Sequence, residues 1–181
     1  FEKTAHGWFQ IHAYQFSKDL STVIVETREE TWLAHGLDQA STEQSIAFCE
    51  GLFGKYVGGA PLLSNARHLR GSAWLNFHRV LCRNWFTDKV VLIGDAAHTA
   101  HFSIGSGTKL AMEDALALAA CLHEHDDLGD SLQAYEAERR PVVLSTQRAA
   151  QASLEWFENI EQYTHQEPVQ FAFNVMTRSR R

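Results

Sequence analysis

The sequence predicts a mixed α/β (α+β) chain: a sheet-based first part, a strand–turn–helix unit in the middle, and long helices at the end. Three observations carry this. Residues 7–16 and 21–28 alternate with a period of two, as half-buried strands do. The run Val90–Ile93 is uninterruptedly apolar, stops at Gly94-Asp95, and precedes a segment with helical periodicity. From Asp130 to Tyr163 the spacing of apolar residues is helical throughout. The expected boundaries are 1–78 for the sheet-based part, 79–125 for the strand–turn–helix part and 126–181 for the helical region.

Taken in order, GWFQIHAYQF (7–16) places Trp8, Gln10, His12, Tyr14 and Phe16 on one side of a strand and Phe9, Ile11 and Ala13 on the other. Ser17-Lys18-Asp19 signals a turn, and the β-branched STVIVETR (21–28) follows, so an antiparallel hairpin is expected. Residues 29–35 are expected to extend the second strand. Ser41 and Gln44 have capping-box spacing and should open a helix to Lys55, with Ile46, Cys49, Leu52 and Phe53 on its buried side. Gly58-Gly59-Ala60-Pro61 breaks it, and SAWLNFHRVLC (72–82) reads as one or two strands. A second helix is expected from Thr108 to about His123, followed by the acidic loop HEHDDLGD. Asp130 or Ser131 should then cap a long helix through Tyr163, kinked at Pro141, where proline removes a backbone donor and crowds the preceding turn.

Composition narrows the function classes. A chain of 181 residues with 45% hydrophobic and 21% charged residues can bury an ordinary globular core. The net charge of −6 argues against nucleic acid and anionic membrane as partners. No apolar run approaches the ~20 residues that cross a bilayer, and no signal-peptide pattern opens the sequence. Cys49, Cys82 and Cys121 are odd in number and widely spaced, which reads as free thiols in a cytoplasmic protein. With Phe1 at its start and Arg178-Ser179-Arg180-Arg181 at its end, the chain reads as part of something longer.

Residues 90–118, VVLIGDAAHTAHFSIGSGTKLAMEDALAL, concentrate the chemistry. A buried strand followed by a tight turn sets Asp95 at the strand's C-terminal end, where α/β proteins bind ligands. The helix that follows turns its N-terminus toward the same space, and free N–H groups there favour anions. Gly105-Ser106-Gly107-Thr108-Lys109 superficially suggests a phosphate-binding P-loop, but Phe102 stands where that motif needs its first glycine.

This stretch resembles the second flavin-binding motif of the single-component FAD-dependent aromatic monooxygenases, the para-hydroxybenzoate hydroxylase-like family. The matching residues are Gly94, Asp95, Ala96, Ala97 and His98, then Gly105 and Gly107, then Glu113, Asp114 and Ala115, in order. YEAERRP (Tyr135–Pro141) follows at the distance expected in that family. The resemblance implies an incomplete FAD-binding domain at 79–125, joined to the back part of a sheet-based substrate domain and followed by C-terminal helices. It implies a cofactor site made by Gly94, Asp95, Ala96, His98, Gly105, Ser106, Gly107 and Thr108, with Asp95 on the ribityl chain and the Gly105 turn against the flavin and pyrophosphate. It also implies NAD(P)H as co-substrate and hydroxylation of a small aromatic molecule. The ADP-binding G-x-G-x-x-G and the middle Asp-Gly motif are absent from these residues, so a missing N-terminal half is the implied partner.

The usual prolines after GDAAH are replaced by His101, Phe102 and Ser103. That version resembles most the branch acting on aromatic acyl-CoA thioesters such as 2-aminobenzoyl-CoA or salicylyl-CoA, and it is also similar to the tryptophan-derived pigment monooxygenases. Trp8, His12, Trp74 and His78 are the candidate substrate residues, each with a core role as its alternative, and no side chain presents itself as a general base. Glu113 and Asp114 are accounted for by the helix dipole, and Arg139 and Arg140 by a surface or interdomain position. Two other readings stand beside the flavoenzyme. Asp95, His98 and His101 could serve a metal-dependent hydrolase, since imidazoles and a carboxylate suit zinc or iron. The chain could also be a non-catalytic packing or interaction module.

Overall fold

A computed structural model of the chain describes residues 1–64 and 74–179. The chain divides into two compact units, Phe1–Asn76 and Phe77–Arg181.

In the first unit, β1 (Glu2–Thr4), β2 (Gly7–Gln15) and β3 (Ser21–Thr27) form an antiparallel meander in the order β1-β2-β3. The β2–β3 hairpin is the expected one, with Phe9 opposite Thr27 and Ala13 opposite Val23. β1 is an addition that three residues are too few to signal by periodicity. Residues 29–35 do not extend β3. Glu29–Ala34 form a short helix, α1, whose first turn carries Glu29 and Glu30, charges that suit a helix N-terminus. α2 spans Thr42–Phe53 with the full capping box: the Gln44 amide donates to Ser41 Oγ (3.2 Å) and the Ser41 amide to Gln44 Oε1 (2.8 Å). It ends two residues short of Lys55, and its buried side is Ser45, Cys49 and Phe53, with Ile46 and Leu52 half-buried. Phe9, Leu37 and Phe53 form the core of this unit, flanked by Ile11, Val25, Phe48 and Trp74.

The second unit is mainly helical. α3 (Gly107–Glu124) packs along α4 (Leu128–Glu158), and α5 (Pro168–Thr177) follows. α4 is capped by Asp127, whose carboxylate accepts from the Asp130 amide (3.0 Å), so the cap lies upstream of the expected Asp130 or Ser131. The helix continues past Pro141 and stops at Glu158. α5, with Pro168 at its first turn, was not anticipated by hydrophobic spacing. Trp85, Ala97, Leu110, Ala117, Cys121, Tyr135 and Val143 make up the core.

Two strand expectations fail. Val90–Ile93 makes a single bridge, Phe86 to Val91, and Val90 and Ile93 are 58% and 38% exposed. The residues fold back instead: the Thr87 amide donates to Val90 O (2.8 Å) and Leu92 to Trp85 O (2.7 Å). A strand exists only through hydrogen-bonded neighbours, and the run has none beyond this turn among the described residues. Of 72–82, residues 72 and 73 lie outside the described residues, and 74–82 carry one bridge, Leu81 to His98.

Ser41→Ala removes one half of the capping box at an exposed position. It should destabilise the protein by about 1 kcal/mol, read as a lower urea midpoint. An unchanged midpoint would show that α2 does not depend on its cap.

Candidate functional site

After Ile93 the backbone enters a 3-10 turn, Gly94–Ala96. Gly94 has φ +55°, and a Cβ there would lie 2.8 Å from the Ala111 Cβ of α3. Glycine is needed on both counts, for the left-handed conformation and for the close packing of turn on helix. The Gly94 amide donates to Asp114 Oδ2 (3.0 Å), which ties this turn to the second turn of α3.

Asp114 is the centre of the unit's polar structure. It is fully buried, and three donors converge on it: the Gly94 amide, His98 Nε2 on Oδ2 (2.7 Å) and Arg139 Nε on Oδ1 (2.9 Å). An ionised carboxylate only accepts, so His98 carries its proton on Nε2. Arg139 also donates through Nη2 to Glu113 Oε2 (3.0 Å), and Lys109 pairs with the same carboxylate. Burial pushes the Asp114 carboxyl upward, but the hydrogen bonds from Arg139, Gly94 and His98 outweigh it and hold the group below the usual range. The helix dipole therefore does not account for Asp114, which lies beyond the first turn of α3, and Arg139 is buried rather than on the surface.

The rest of Tyr135–Pro141 faces the same layer. Tyr135 donates to Leu92 O (3.0 Å), and burial followed by the Asp114 charge raises its phenol, keeping it protonated. Glu136 accepts from the Trp85 amide (3.1 Å) and pairs with Arg140, which also donates to Arg83 O (2.7 Å) and lies over the Trp85 ring.

Around this base the cofactor candidates present a different surface. Asp95 and Ala96 are exposed, and the Asp95 carboxylate has no hydrogen-bond partner among the described residues. A second 3-10 turn, Phe102–Ile104, ends at Gly105, whose φ of +64° turns the chain into α3. Ser106 occupies the cap position of α3 without capping it, and its Oγ is buried with no partner among the described residues. The amides of Gly107, Thr108 and Lys109 are thus left for an external acceptor, since Leu110 is the first to bond back, to Ser106 O (2.9 Å). His98 does not belong to this surface: it is buried against Trp85 and Asp114.

The metal triad does not assemble. His98 Nε2 is engaged by Asp114, His101 Nδ1 pairs with Ser103 Oγ (2.9 Å), and Asp95 is exposed. No group of three His, Cys, Asp or Glu side chains able to hold a metal occurs among the described residues. Burial raises the Cys49 thiol to about 11 and the Cys121 thiol as well, so both are inert, and all three cysteines are free.

The substrate candidates separate. Lys3 lies over the Trp8 ring, and His12 Nε2 pairs with Glu26 on the same face of β2. The opposite face carries a cavity of about 620 Å³ between Ala13, Val23 and Val25 of the sheet and Ser45 and Cys49 of α2. Trp74 lines it and donates from Nε1 to Ser45 Oγ (3.1 Å). His78 lies in the second unit, exposed, with its carbonyl accepting from Thr99 Oγ1 (3.1 Å).

Comparison with known proteins identifies the family. The family model described as FAD binding domain matches residues 58–150, which contain the Gly94 turn, the α3 N-terminus and the Asp114–Arg139 pair. The chain belongs to this FAD-binding domain family. It is 45% identical over 185 residues to salicyloyl-CoA 5-hydroxylase of a Streptomyces species, covering 96% of this chain and 35% of that protein. It is 43% identical over 155 residues to 3-hydroxy-4-methyl-anthranilyl-[aryl-carrier protein] 5-monooxygenase of Streptosporangium sibiricum, covering 86% and 39%. The chain thus spans well under half the length of these relatives. Its fold matches Pseudomonas aeruginosa PqsL, solved with 2-aminobenzoylacetate, at a TM-score of 0.61 and 23% identity, over 85% of this chain and 42% of that one.

Asp114→Ala should lower stability by about 3–5 kcal/mol, because it strands the Arg139 charge and the His98 proton in a buried site. The pH dependence has a definite sign. With its folded value held below 3.8, the Asp114 stabilisation is fully present above pH 3.8 and is lost as pH falls through that lower value. In the alanine variant, acid titration of the unfolding free energy should lose this segment of its slope. An identical acid profile in both proteins would remove Asp114 from its central place.

Proposed function

We propose that this chain is the flavin- and substrate-facing part of an FAD-dependent, NAD(P)H-using monooxygenase that hydroxylates an aromatic ring carried as an acyl-CoA thioester. The observation that carries the reading is the pairing of an exposed, unpartnered Asp95 with an uncapped α3 N-terminus that leads from Gly105. The residues fit the cofactor. A carboxylate suits ribityl hydroxyls, because an ionised acceptor makes the stronger hydrogen bond. The free amides of Gly107 and Thr108 and the orphaned Ser106 Oγ suit the flavin's carbonyl edge or the pyrophosphate. Ala96 and Gly105 allow close approach by minimising or lacking side chains, and Gly94 and His98 act from beneath, fixing the turn through Asp114.

Bound FAD, reduced by NAD(P)H, would supply oxygen activation. The protein's share is to hold the cofactor, orient the ring and exclude water, and no side chain of the chain is assigned as a general base. The α3 N-terminus adds a positive end that favours negative charge on a nearby cofactor. Among the substrate candidates, Trp74 lines the first unit's cavity, and we assign Trp8, His12 and His78 no more than supporting places.

The exposed edge of Val90 and Ile93 supports a further part of the reading: an ADP-binding region of the same enzyme completes the cofactor site and covers this edge. Free thiols suit a cytoplasmic setting, and no helix among the described residues is long and apolar enough to cross a membrane. The aromatic acyl-CoA substrate class rests on the relatives named above, one of which acts on a CoA thioester by its name. The rival hydrolase is not favoured, since His98 and His101 are engaged by separate partners and Asp95 is exposed apart from them.

The intact enzyme should purify with flavin absorbance and consume NAD(P)H and O₂ with an aromatic acyl-CoA, but far less with the free acid. A colourless protein that binds no FAD would end this reading. Asp95→Ala should raise the Kd for FAD by about tenfold, the loss of one charged hydrogen bond. Unchanged affinity would free Asp95 from the ribityl assignment.

A further inference from the structure

The loop that leads into α3, His101–Ser106, contains no proline, yet it must deliver Gly105 and the free helix amides in one conformation. Its own short-range bonds are modest. The Gly105 amide donates to Phe102 O (2.8 Å), and His101 Nδ1 pairs with Ser103 Oγ (2.9 Å). The remaining restraint comes from far along the chain. Ser153 of α4 is fully buried and shares a hydrogen bond with Ser103 Oγ (2.8 Å). Arg178, immediately after α5, donates from Nη2 to Ser103 O (2.7 Å) and from Nε to Ser153 Oγ (2.9 Å). Its guanidinium lies over the Phe157 ring, 4.8 Å from the centroid.

These contacts close a ring. One edge of the guanidinium, Nε and Nη2, addresses two acceptors at once, and the two acceptors are joined by the serine pair. The planar fork fixes both bonds in one geometry, which an ammonium on a flexible stem does not. The clamped carbonyl is two residues before Gly105, so displacement of Ser103 moves the left-handed turn and, with it, the first amides of α3.

We propose that Arg178 is a positioning residue for the cofactor loop, acting with Ser153 to hold Ser103 so that Gly105 and the α3 N-terminus meet FAD in a fixed pose. The inference rests on the flavin reading above and extends it: cofactor affinity depends on the docking of α5. A purely structural Arg178 would tether α5 to its unit and affect melting alone.

The test uses the intact enzyme, stripped of FAD and titrated with FAD, with Arg178→Lys and Ser153→Ala as variants. Arg178→Lys should raise the Kd for FAD by about tenfold, as expected for losing a charged hydrogen bond, and shift the visible spectrum of the bound flavin. Ser153→Ala should change both in the same direction and by less, since the Arg178–Ser103 bond survives. If both variants keep the starting Kd and spectrum while the melting temperature of the stripped enzyme falls, Arg178 is structural only and the proposal is overturned. If Arg178→Lys does not fold, Ser153→Ala decides by the same two readouts. If the unmodified enzyme itself binds no FAD, the flavin reading fails instead, an outcome distinct from unchanged variants of a flavin-binding enzyme.

Discussion

The second unit depends on one buried carboxylate. Asp114 is removed from water, a costly placement unless every lone pair is engaged. Its three donors come from three places, the Gly94 turn, His98 and α4, so a single side chain sets the spacing of all of them. The pairing with Arg139 offsets the desolvation of both charges, and Glu113 takes the remaining guanidinium edge. Because Asp114 holds Gly94, it also determines where the next residue, Asp95, projects.

α4 is the scaffold on which this is built. Its buried side runs Tyr135, Arg139, Val143, Gln147, Ala150 and Ser153, with steps of three and four that keep one face. Four of these six residues are polar, and each polar one reaches a specific backbone or side-chain group. Tyr135 reaches Leu92 O, Arg139 reaches Asp114, Gln147 reaches Val80 O and Thr99 O, and Ser153 reaches Ser103. The helix therefore fastens the loops that precede α3 by hydrogen bonds as much as by apolar contact. Mixed faces of this kind tend to specify one arrangement, since a shifted register would leave buried polar groups unpaired.

The division of labour within the motif follows from burial. Gly94, His98 and Asp114 are inside and make the geometry, whereas Asp95, Gly105 and Thr108 are exposed and available to a ligand. One contiguous stretch of sequence thus holds both the frame of the site and the groups it presents. Ser106 Oγ and the uncapped α3 amides are left unsatisfied at the surface this motif presents, while the buried Trp85 Nε1 lacks a hydrogen-bond acceptor among the described residues elsewhere in the unit.

Local order was legible in the sequence wherever the deciding forces are local. The β2–β3 hairpin, the Ser41–Gln44 capping box and the start of α3 depend on alternation, on a side chain three residues away and on a glycine turn. The family was legible too, through the order of Gly94, Asp95, His98, Gly105, Gly107 and Asp114. What only the tertiary structure decided are the features whose partners lie far apart. Val90–Ile93 has the composition of a strand, but composition does not supply the neighbouring strand that makes it one. Asp114 and Arg139, 25 residues apart, look like surface charges until α3 and α4 pack and water is excluded between them. Ser103 and Arg178, 75 residues apart, carry no shared signal in the chain at all. Periodicity reports which face of an element is buried, and it is silent on which polar groups will meet there.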